Sequence, residues 1–266
     1  MVTVARNAAA TIRDTIDSVL AQTWPELEHW VVDGASTDGT RELLAAYGAR
    51  LPHWLSEPDA GISDAFNKGL RRATGDYIHF LSADDAYASS TVVAEMIAAA
   101  ESLGWPDVLY GDCLMVDRDS GAPLWRVPKH ADDVSLARGR AQPHPSTFMH
   151  RRYFERFGDF DPSYRVAMDL ELFLRGIPVV GTHHVPVLVA RVRTGGMSMT
   201  QATTGYAEAV RAMDAHGRFR TPLGPWLMRG RFAARRWGRA AVVGAGLYRV
   251  VATLRGLRQR VRTGSR

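Results

Sequence analysis

The feature that most constrains this chain is an alternation through residues 2–85. Short apolar runs alternate with longer amphipathic segments, and polar turns follow the runs. Val2 to Ala5, Leu27 to Val32, His53 to Leu55 and Tyr77 to Leu81 read as strands. Asn7 to Gln22 places Ile12, Ile16, Val19 and Leu20 at helical spacing, with Asn7 as the predicted cap. Arg41 to Tyr47 and Ile62 to Ala73 predict two further helices. Strands separated by such helices imply βαβ units and a parallel sheet. Further on, Val108 to Cys113 predicts a strand, and Leu114 to Val127 a hairpin turning at Asp119-Ser120-Gly121. Ser146 to Met149 is apolar, Arg152 to Phe157 reads as a short helix stopped by Gly158, and Ala167 to Arg175 as another helix. Val179 to Val189 includes an outer strand, and Arg193 to Thr204, with Gly195-Gly196, reads as a mobile loop.

The chain has 266 residues, enough for a large core. Its one cysteine, Cys113, excludes an internal disulfide and a clustered-cysteine zinc site. The apolar opening without a basic flank predicts no cleavable signal, and no apolar run reaches the roughly 18 residues of a membrane span. A soluble or surface-bound intracellular protein is the expectation. The net charge of +5 hides a split: thirteen arginines and no Asp, Glu or Lys follow from Ala215 onward, while the first 214 residues carry −8. That asymmetry predicts an acidic or metal-binding body with a basic appendage for an anionic surface.

In an open parallel α/β sheet, ligands bind outside the carboxyl ends of the strands. Asp33 falls at the end of the second predicted strand and Asp84-Asp85 after the fourth, while Asp64 lies near the start of its helix after Glu57-Pro58-Asp59-Ala60-Gly61. Carboxylates gathered at one edge repel one another unless a cation or hydrogen-bond donors compensate. A hard divalent ion with substrate phosphates suits that role, since Mg²⁺ takes one or two carboxylates plus phosphate oxygens. Asp38, before a turn glycine, reads as a turn residue. Val4-Ala5-Arg6-Asn7-Ala8-Ala9 replaces the glycine-rich fingerprint of a dinucleotide site, and no P-loop pattern occurs. A mononucleotide held by side chains and metal fits better.

Val2-Thr3-Val4-Ala5-Arg6-Asn7, then Val31-Val32-Asp33-Gly34-Ala35-Ser36-Thr37-Asp38-Gly39-Thr40, resembles the nucleotide-binding half of family 2 glycosyltransferases with the GT-A fold. So do Glu57-Pro58-Asp59-Ala60-Gly61-Ile62-Ser63-Asp64-Ala65-Phe66-Asn67-Lys68-Gly69 and the stretch from Ala73-Thr74-Gly75-Asp76 to Leu81-Ser82-Ala83-Asp84-Asp85. The four pieces stand in the family's order. The resemblance implies that Asp33 and Asp64 contact the base and ribose of a nucleotide sugar, with Thr3, Arg6, Asn7 and Lys68 lining the same site. It implies Asp85 as the metal contact, for Mn²⁺ or Mg²⁺, and Asp84 as its ribose- or diphosphate-facing neighbour. The motif here is Ala83-Asp84-Asp85 rather than a strict Asp-x-Asp.

His144-Pro145-Ser146-Thr147-Phe148, Gly158-Asp159-Phe160-Asp161-Pro162 and Val166-Ala167-Met168-Asp169-Leu170-Glu171-Leu172 are similar to the family's acceptor half. There the resemblance implies Asp169 as general base, although Met168 stands where many members carry Glu. An inverting transfer needs one carboxylate to accept the acceptor hydroxyl's proton; a helix N-cap is the plainer reading of Asp169, and Glu171 is the fallback base. His144 contacts the acceptor or diphosphate, completes a metal shell, or is a core histidine. His183 and His184 read as structural, and Gly195-Gly196-Met197-Ser198 resembles the family's flexible loop near the donor diphosphate.

The expected fold is therefore α/β of the GT-A type: a Rossmann-like nucleotide-binding half with a mostly parallel central sheet, plus a basic amphipathic helical tail. The predicted domain covers 1–220, with a nucleotide-sugar half at 1–113 and an acceptor half at 114–220, and the tail covers 221–266. Pro222, Gly224 and Pro225 mark that boundary. In the tail, Leu247, Val250, Val251, Leu254, Leu257 and Val261 share one helical face, with Arg249 and Arg260 opposite. Trp226, Phe232, Trp237 and Tyr248 add interfacial aromatics. That pattern predicts an anionic membrane surface as partner of 226–262 rather than nucleic acid, for which the body carries no motif. The expected function is inverting, metal-dependent transfer from a UDP-, GDP- or dTDP-sugar to a lipid-linked saccharide or glycolipid, at the cytoplasmic face of the cell membrane. A nucleotidyltransferase and a non-catalytic membrane scaffold of the same fold are the alternatives.

Overall fold

A computed structural model describes residues 1–127 and 142–219, together with 221, 223–228 and 230. The chain divides into two units, Met1–Arg218 and Phe219–Arg266; the fold below is that of the first. The tail face predicted for 226–262 lies almost wholly outside the described residues. Among those described, no helix is long and apolar enough to cross a membrane.

Four parallel strands open the chain: β1 (Val2–Ala5), β2 (Trp30–Asp33), β3 (His53–Ser56) and β4 (Tyr77–Ser82), arranged β3-β2-β1-β4. All of β1 is buried, as expected of a central parallel strand covered on both faces. The crossovers are α1 (Ile12–Leu20), α2 (Thr40–Ala46) and α3 (Ile62–Arg72). Ile12, Ile16 and Val19 form the buried face of α1, and Leu44 that of α2. Ile12 and Ile16 meet Val31 and Leu44 in one core cluster.

The sheet continues through β8 (Thr147–His150), β6 (Val108–Val116), β9 (His183–Arg193) and β5 (Ala86–Tyr87), with β7 (Pro123–Val127) on β6. The pairs β4–β8, β8–β6 and β9–β5 are antiparallel, whereas β6–β9 is parallel. Only residues 83–85 separate β4 from β5, yet β5 lies at the far end of this path and pairs with β9. The strands must curl back on themselves to meet both conditions. The end of β9 therefore arrives beside the Asp84-Asp85 link.

The remaining helices are α4 (Val92–Ser102), α5 (Arg151–Phe157), α6 (Met168–Val180), α7 (Met197–Thr200) and α8 (Ala202–Ala215). Four sequence expectations need correction. Asn7 does not cap α1, which starts five residues later at Ile12; Asn7 sits at φ 49°, and its side-chain oxygen accepts from Thr37 N. The helix over Val92–Ser102, with Val92, Val93, Met96 and Ala100 buried, is not anticipated by the strand-and-turn pattern. α6 runs past Arg175 to Val180 with Pro178 inside its last turn. The proline leaves the Leu174 carbonyl without its helical donor, and Arg218 Nη2 approaches that oxygen at 3.5 Å. Finally, the predicted loop over Arg193–Thr204 is in large part helical, as α7 and the start of α8.

Gly69 shows how closely α3 rides on the sheet: a Cβ at that position would overlap Val2 Cγ1, itself fully buried. Gly69→Ala is expected to destabilise the protein, because overpacking costs about 1–3 kcal/mol while removing a helical glycine returns at most about 1 kcal/mol. A lower Tm and an unchanged denaturant m-value would agree; a raised Tm would mean that the helix shifts freely on β1.

Candidate active site

The carboxyl edge of the parallel strands is organised around Asp33. This side chain is fully buried, and it accepts from Ser36 N at 3.0 Å, from Ser56 Oγ at 2.6 Å and from Ser36 Oγ. The turn after β2 is stitched to the turn after β1. Asn7 N donates to Ser36 Oγ at 2.7 Å, Ala8 N to Thr40 Oγ1 at 2.9 Å and Ala9 N to Asp38 Oδ2 at 3.0 Å. Asp38 also takes the Thr40 hydroxyl, and that bond first, then the Ala9 amide, hold its carboxyl below the usual range. It is a turn residue, as its place before Gly39 suggests.

Gly34 leaves room on this edge for a side chain absent from the predicted site set. A Cβ there would collide with Asp59 Oδ2, and Arg6 Nη1 stands 3.9 Å from Asp59 Oδ1. Asp64 accepts from Ala60 N at 3.0 Å, and this bond leads in lowering its pKa, with Lys68 adding to it. Lys68 Nζ lies 3.0 Å from Glu57 Oε1 and 3.4 Å from Asp64 Oδ2, and donates to Pro58 O at 2.7 Å. Burial works to lower the Lys68 ammonium, but the two carboxylates outweigh it and hold it above the lysine range. Arg6 and Asn7 thus stand on the loop after β1, Asp33 at the end of β2, and Asp64 and Lys68 one turn apart on α3. Thr3 does not join them. It is fully buried in β1, and its hydroxyl is 3.0 Å from Nε2 of His29, which burial drives to about 3.

Asp84 and Asp85 lie where β4 hands over to β5. Burial, then the neighbouring Asp84 charge, pushes Asp85 well above the carboxylate range, against the pull of Arg193. Burial raises Asp84 as well, with Arg118 and Arg193 opposing. Arg193, at the end of β9, is the residue the sequence reading passed over. Its backbone N–H donates to Asp85 Oδ1 at 3.1 Å, while its guanidinium donates to the Asp84 carbonyl at 3.1 Å and to Asp14 Oδ2 at 2.6 Å. Gly196 stands next to the pair, since a Cβ there would sit 3.9 Å from Asp84 Oδ2.

Asp169 occupies the first turn of α6. The N-cap is Ala167, so Asp169 is inside the helix rather than its cap. Burial raises its carboxyl to about 6, opposed by the Leu170 amide that donates to Oδ1 at 2.7 Å. Glu171, the fallback base, is instead buried against Arg175 Nη2 at 2.8 Å and His216 Nε2 at 3.1 Å. The segment leading to Asp169 is clamped by α3. Asn67 exchanges two hydrogen bonds with the Phe160 backbone, at 2.8 and 2.9 Å, and Ser63 Oγ donates to Tyr164 O at 2.7 Å. One face of α3 therefore presents Asp64 and Lys68 at the strand edge while its other face anchors the approach to Asp169.

His144 packs among aromatic rings, with centroids 5.5 Å from Phe66 and Phe80 and 5.7 Å from Phe160. Burial lowers it to about 4, so it is neutral at pH 7. Among the described residues no three His, Cys, Asp or Glu side chains converge on a metal position. His184 is tied to Asp112 Oδ1 at 2.9 Å, a structural pairing between β9 and β6.

Residues 1–157 match the sequence profile described as Glycosyl transferase family 2. An uncharacterized glycosyltransferase of Mycobacterium tuberculosis is 28% identical over 225 residues, covering 82% of this chain and 84% of that protein. A PGL/p-HBAD biosynthesis glycosyltransferase of Mycobacterium bovis is 30% identical over 200 residues, covering 73% and 76%. Among solved structures, S. aureus TarS 1-349 in complex with UDP-GlcNAc superposes with a TM-score of 0.65 at 16% identity, covering 81% of this chain and 65% of that one. The mannosyltransferase PcManGT from Pyrobaculum calidifontis, in complex with GDP-Man and Mn²⁺, gives 0.60 at 20% identity, covering 98% and 79%. Those two likenesses establish the shared GT-A-like fold. The profile match over more than half of the chain, with the curated relatives, establishes that this protein is a glycosyltransferase and belongs to glycosyl transferase family 2.

Proposed function

We propose that the protein transfers a sugar, with inversion, from a nucleotide sugar to an acceptor hydroxyl, and that Asp169 is its general base. The observation that carries this reading is the division of carboxyl groups between two places. An acidic pair closes the strand edge at Asp84-Asp85, and a separate buried carboxyl at Asp169 is raised to about 6. At pH 7 such a group is ionised, yet more basic than an ordinary aspartate, which suits proton abstraction. The acceptor oxygen gives its proton to Asp169 and bonds to the anomeric carbon as the bond to the diphosphate oxygen breaks on the opposite face. A nucleoside diphosphate leaves. Arg6, Asn7, Asp33, Asp64 and Lys68 are proposed to hold the nucleoside, and Asp84 the ribose or diphosphate side. Thr3, with its hydroxyl turned to His29, would contribute through its backbone. The donor class is supported by the complexes of TarS with UDP-GlcNAc and of PcManGT with GDP-Man.

A divalent ion fits the acidic pair. Burial raises both adjacent carboxyl groups, and the Asp84 charge raises Asp85 further, against the opposing pull of Arg118 and Arg193. Hard carboxyl oxygens suit Mg²⁺ or Mn²⁺, which need only one or two protein carboxylates when a diphosphate supplies the rest. Asp85 would be the main ligand and Asp84 its neighbour. When bound, the ion would offset the charge that develops on the leaving diphosphate. Ionising a carboxyl whose folded pKa is raised costs stability above its ordinary pKa, so the metal-free protein bears that cost at pH 7. Asp85→Asn, which retains an acceptor for Arg193 N, is accordingly expected to raise Tm in EDTA at pH 7 while abolishing transfer. A lowered Tm would show that the carboxyl is already compensated.

The acceptor is proposed to be a lipid-linked saccharide or glycolipid reached from the cytoplasmic membrane face, on the strength of the arginine and aromatic pattern of 226–262. Transfer to a soluble acceptor, indifferent to lipid and to loss of the tail, would sink that part.

The test is nucleoside diphosphate release from UDP-, GDP- and dTDP-sugars with Mn²⁺ and a membrane lipid extract. One donor should turn over, and Asp169→Asn should reduce kcat by about 10²–10⁴-fold. Because Asp169 must be deprotonated, kcat should hold at neutral pH and fall as pH drops through about 6. Full activity of Asp169→Asn, or a flat profile down to pH 5, would remove it as the base. Pyrophosphate release would instead reveal nucleotidyl transfer.

A further inference from the structure

We propose that Glu208 is a positioning residue for the catalytic turn: from α8 its carboxylate binds three consecutive backbone amides and so fixes where α6 begins and where Asp169 stands. The proposal rests on the reading of Asp169 as general base. Glu208 accepts from Arg165 N at 3.0 Å, from Val166 N at 2.8 Å and from Ala167 N at 2.9 Å. It is only 9% exposed. A buried carboxylate is costly unless its lone pairs are filled, and here amides 41 to 43 positions earlier in the chain fill them.

The placement of those amides gives the arrangement its consequence. The first amides of a helix and those just before it have no partner within the helix, and the N-cap of α6, Ala167, has no side chain able to accept from them. A Ser, Asp or Asn at the N-cap ordinarily does this locally. Here the cap comes from another helix, and its negative charge also sits favourably at the positive end of α6. Asp169 follows two residues after the last amide bound, and its own hydrogen bond, to Leu170 N, is local. Its position is thus inherited from the backbone that Glu208 holds.

α8 is fitted to the segment over more than one turn. A Cβ on Gly205 would stand 2.9 Å from Val166 Cγ1, so that the helix can approach closely. Arg211 Nη2 donates to Ser163 O at 2.7 Å, and its guanidinium covers the Tyr164 ring at 3.8 Å. Gly205, Glu208 and Arg211 recur every third residue and therefore share a face. The contacts of Ser63 and Asn67 from α3 hold residues 160 and 164 from the donor half. The approach to Asp169 is gripped by both helices.

The test is a double-mutant cycle in the full chain. Turnover is read as nucleoside diphosphate release from the donor that the panel above identifies, with the membrane lipid extract. Nucleotide affinity is read by titrating UDP or GDP with Mn²⁺. Glu208→Gln keeps the volume but points an N–H toward at least one amide N–H. It is expected to lower kcat about 10- to 100-fold, the scale of a misplaced catalytic group, with nucleotide affinity unchanged within twofold. Because Glu208 acts through Asp169, adding Glu208→Gln to Asp169→Asn should cost little more. Wild-type kcat in Glu208→Gln, or an equal loss in both backgrounds, overturns the proposal. So does a loss shared between kcat and nucleotide affinity, which would mark general loosening of the fold. Full turnover in Asp169→Asn alone overturns the base assignment and this role with it, whereas full turnover in Glu208→Gln alone leaves the base assignment standing. If Glu208→Gln does not fold, Glu208→Asp serves instead. Its shorter carboxylate reaches fewer amides, so a partial kcat loss supports the role and wild-type kcat refutes it.

Discussion

The edge on which the proposed chemistry depends is held by one buried side chain. Asp33 ends β2 with no exposure, and its carboxyl is filled by Ser36 and Ser56. A polar group in such a place is tolerated only when its hydrogen bonds are complete. Satisfying it fixes the turn after β2, and through Asn7, Ala8 and Ala9 that turn fixes the one after β1. Hydrogen bonds to a charged acceptor contribute about 1.5–3 kcal/mol each, so loops that would otherwise be mobile are set before any ligand arrives.

The second constraint is topological. Because β5 follows β4 after three residues yet pairs with β9, the sheet curls, and the end of β9 closes on the Asp84-Asp85 link. Arg193 then reaches both acidic residues, and Gly196 stands beside Asp84. α3 joins this edge to the other half of the domain. It holds Asp64 and Lys68 on one face, and it binds Phe160 and Tyr164 with Asn67 and Ser63 on another. A displacement of α3 therefore moves the strand edge and the approach to Asp169 together.

Much of the first half was legible because local signals and tertiary demands agree there. Buried parallel strands need apolar residues, crossover helices need an apolar face, and turns at strand ends take Asp and Gly. The strand edges, the three crossovers and the turn role of Asp38 followed from those rules. At one place where the reading missed, a distant partner had taken over. Asn7 has the chemistry of a cap, but Thr37 N claims its oxygen and the helix starts later. The Gly195-Gly196 pair suggested a loop to Thr204, yet the chain turns helical at Met197 and again at Ala202. The helix expected over Ala167 to Arg175 instead continues through Pro178 to Val180.

The sequence by itself determined the alternating architecture, the acidic residues at the strand ends and the order of the family's motifs. Periodicity and turn chemistry operate within a few residues, and those features are local. Only the tertiary structure decided the roles that depend on partners far along the chain: Asp59 beside Gly34, Arg193 against the acidic pair, Glu171 bonded to His216, and Glu208 capping the approach to Asp169. A buried carboxyl is defined by what fills its lone pairs, and no spacing rule along the chain records that.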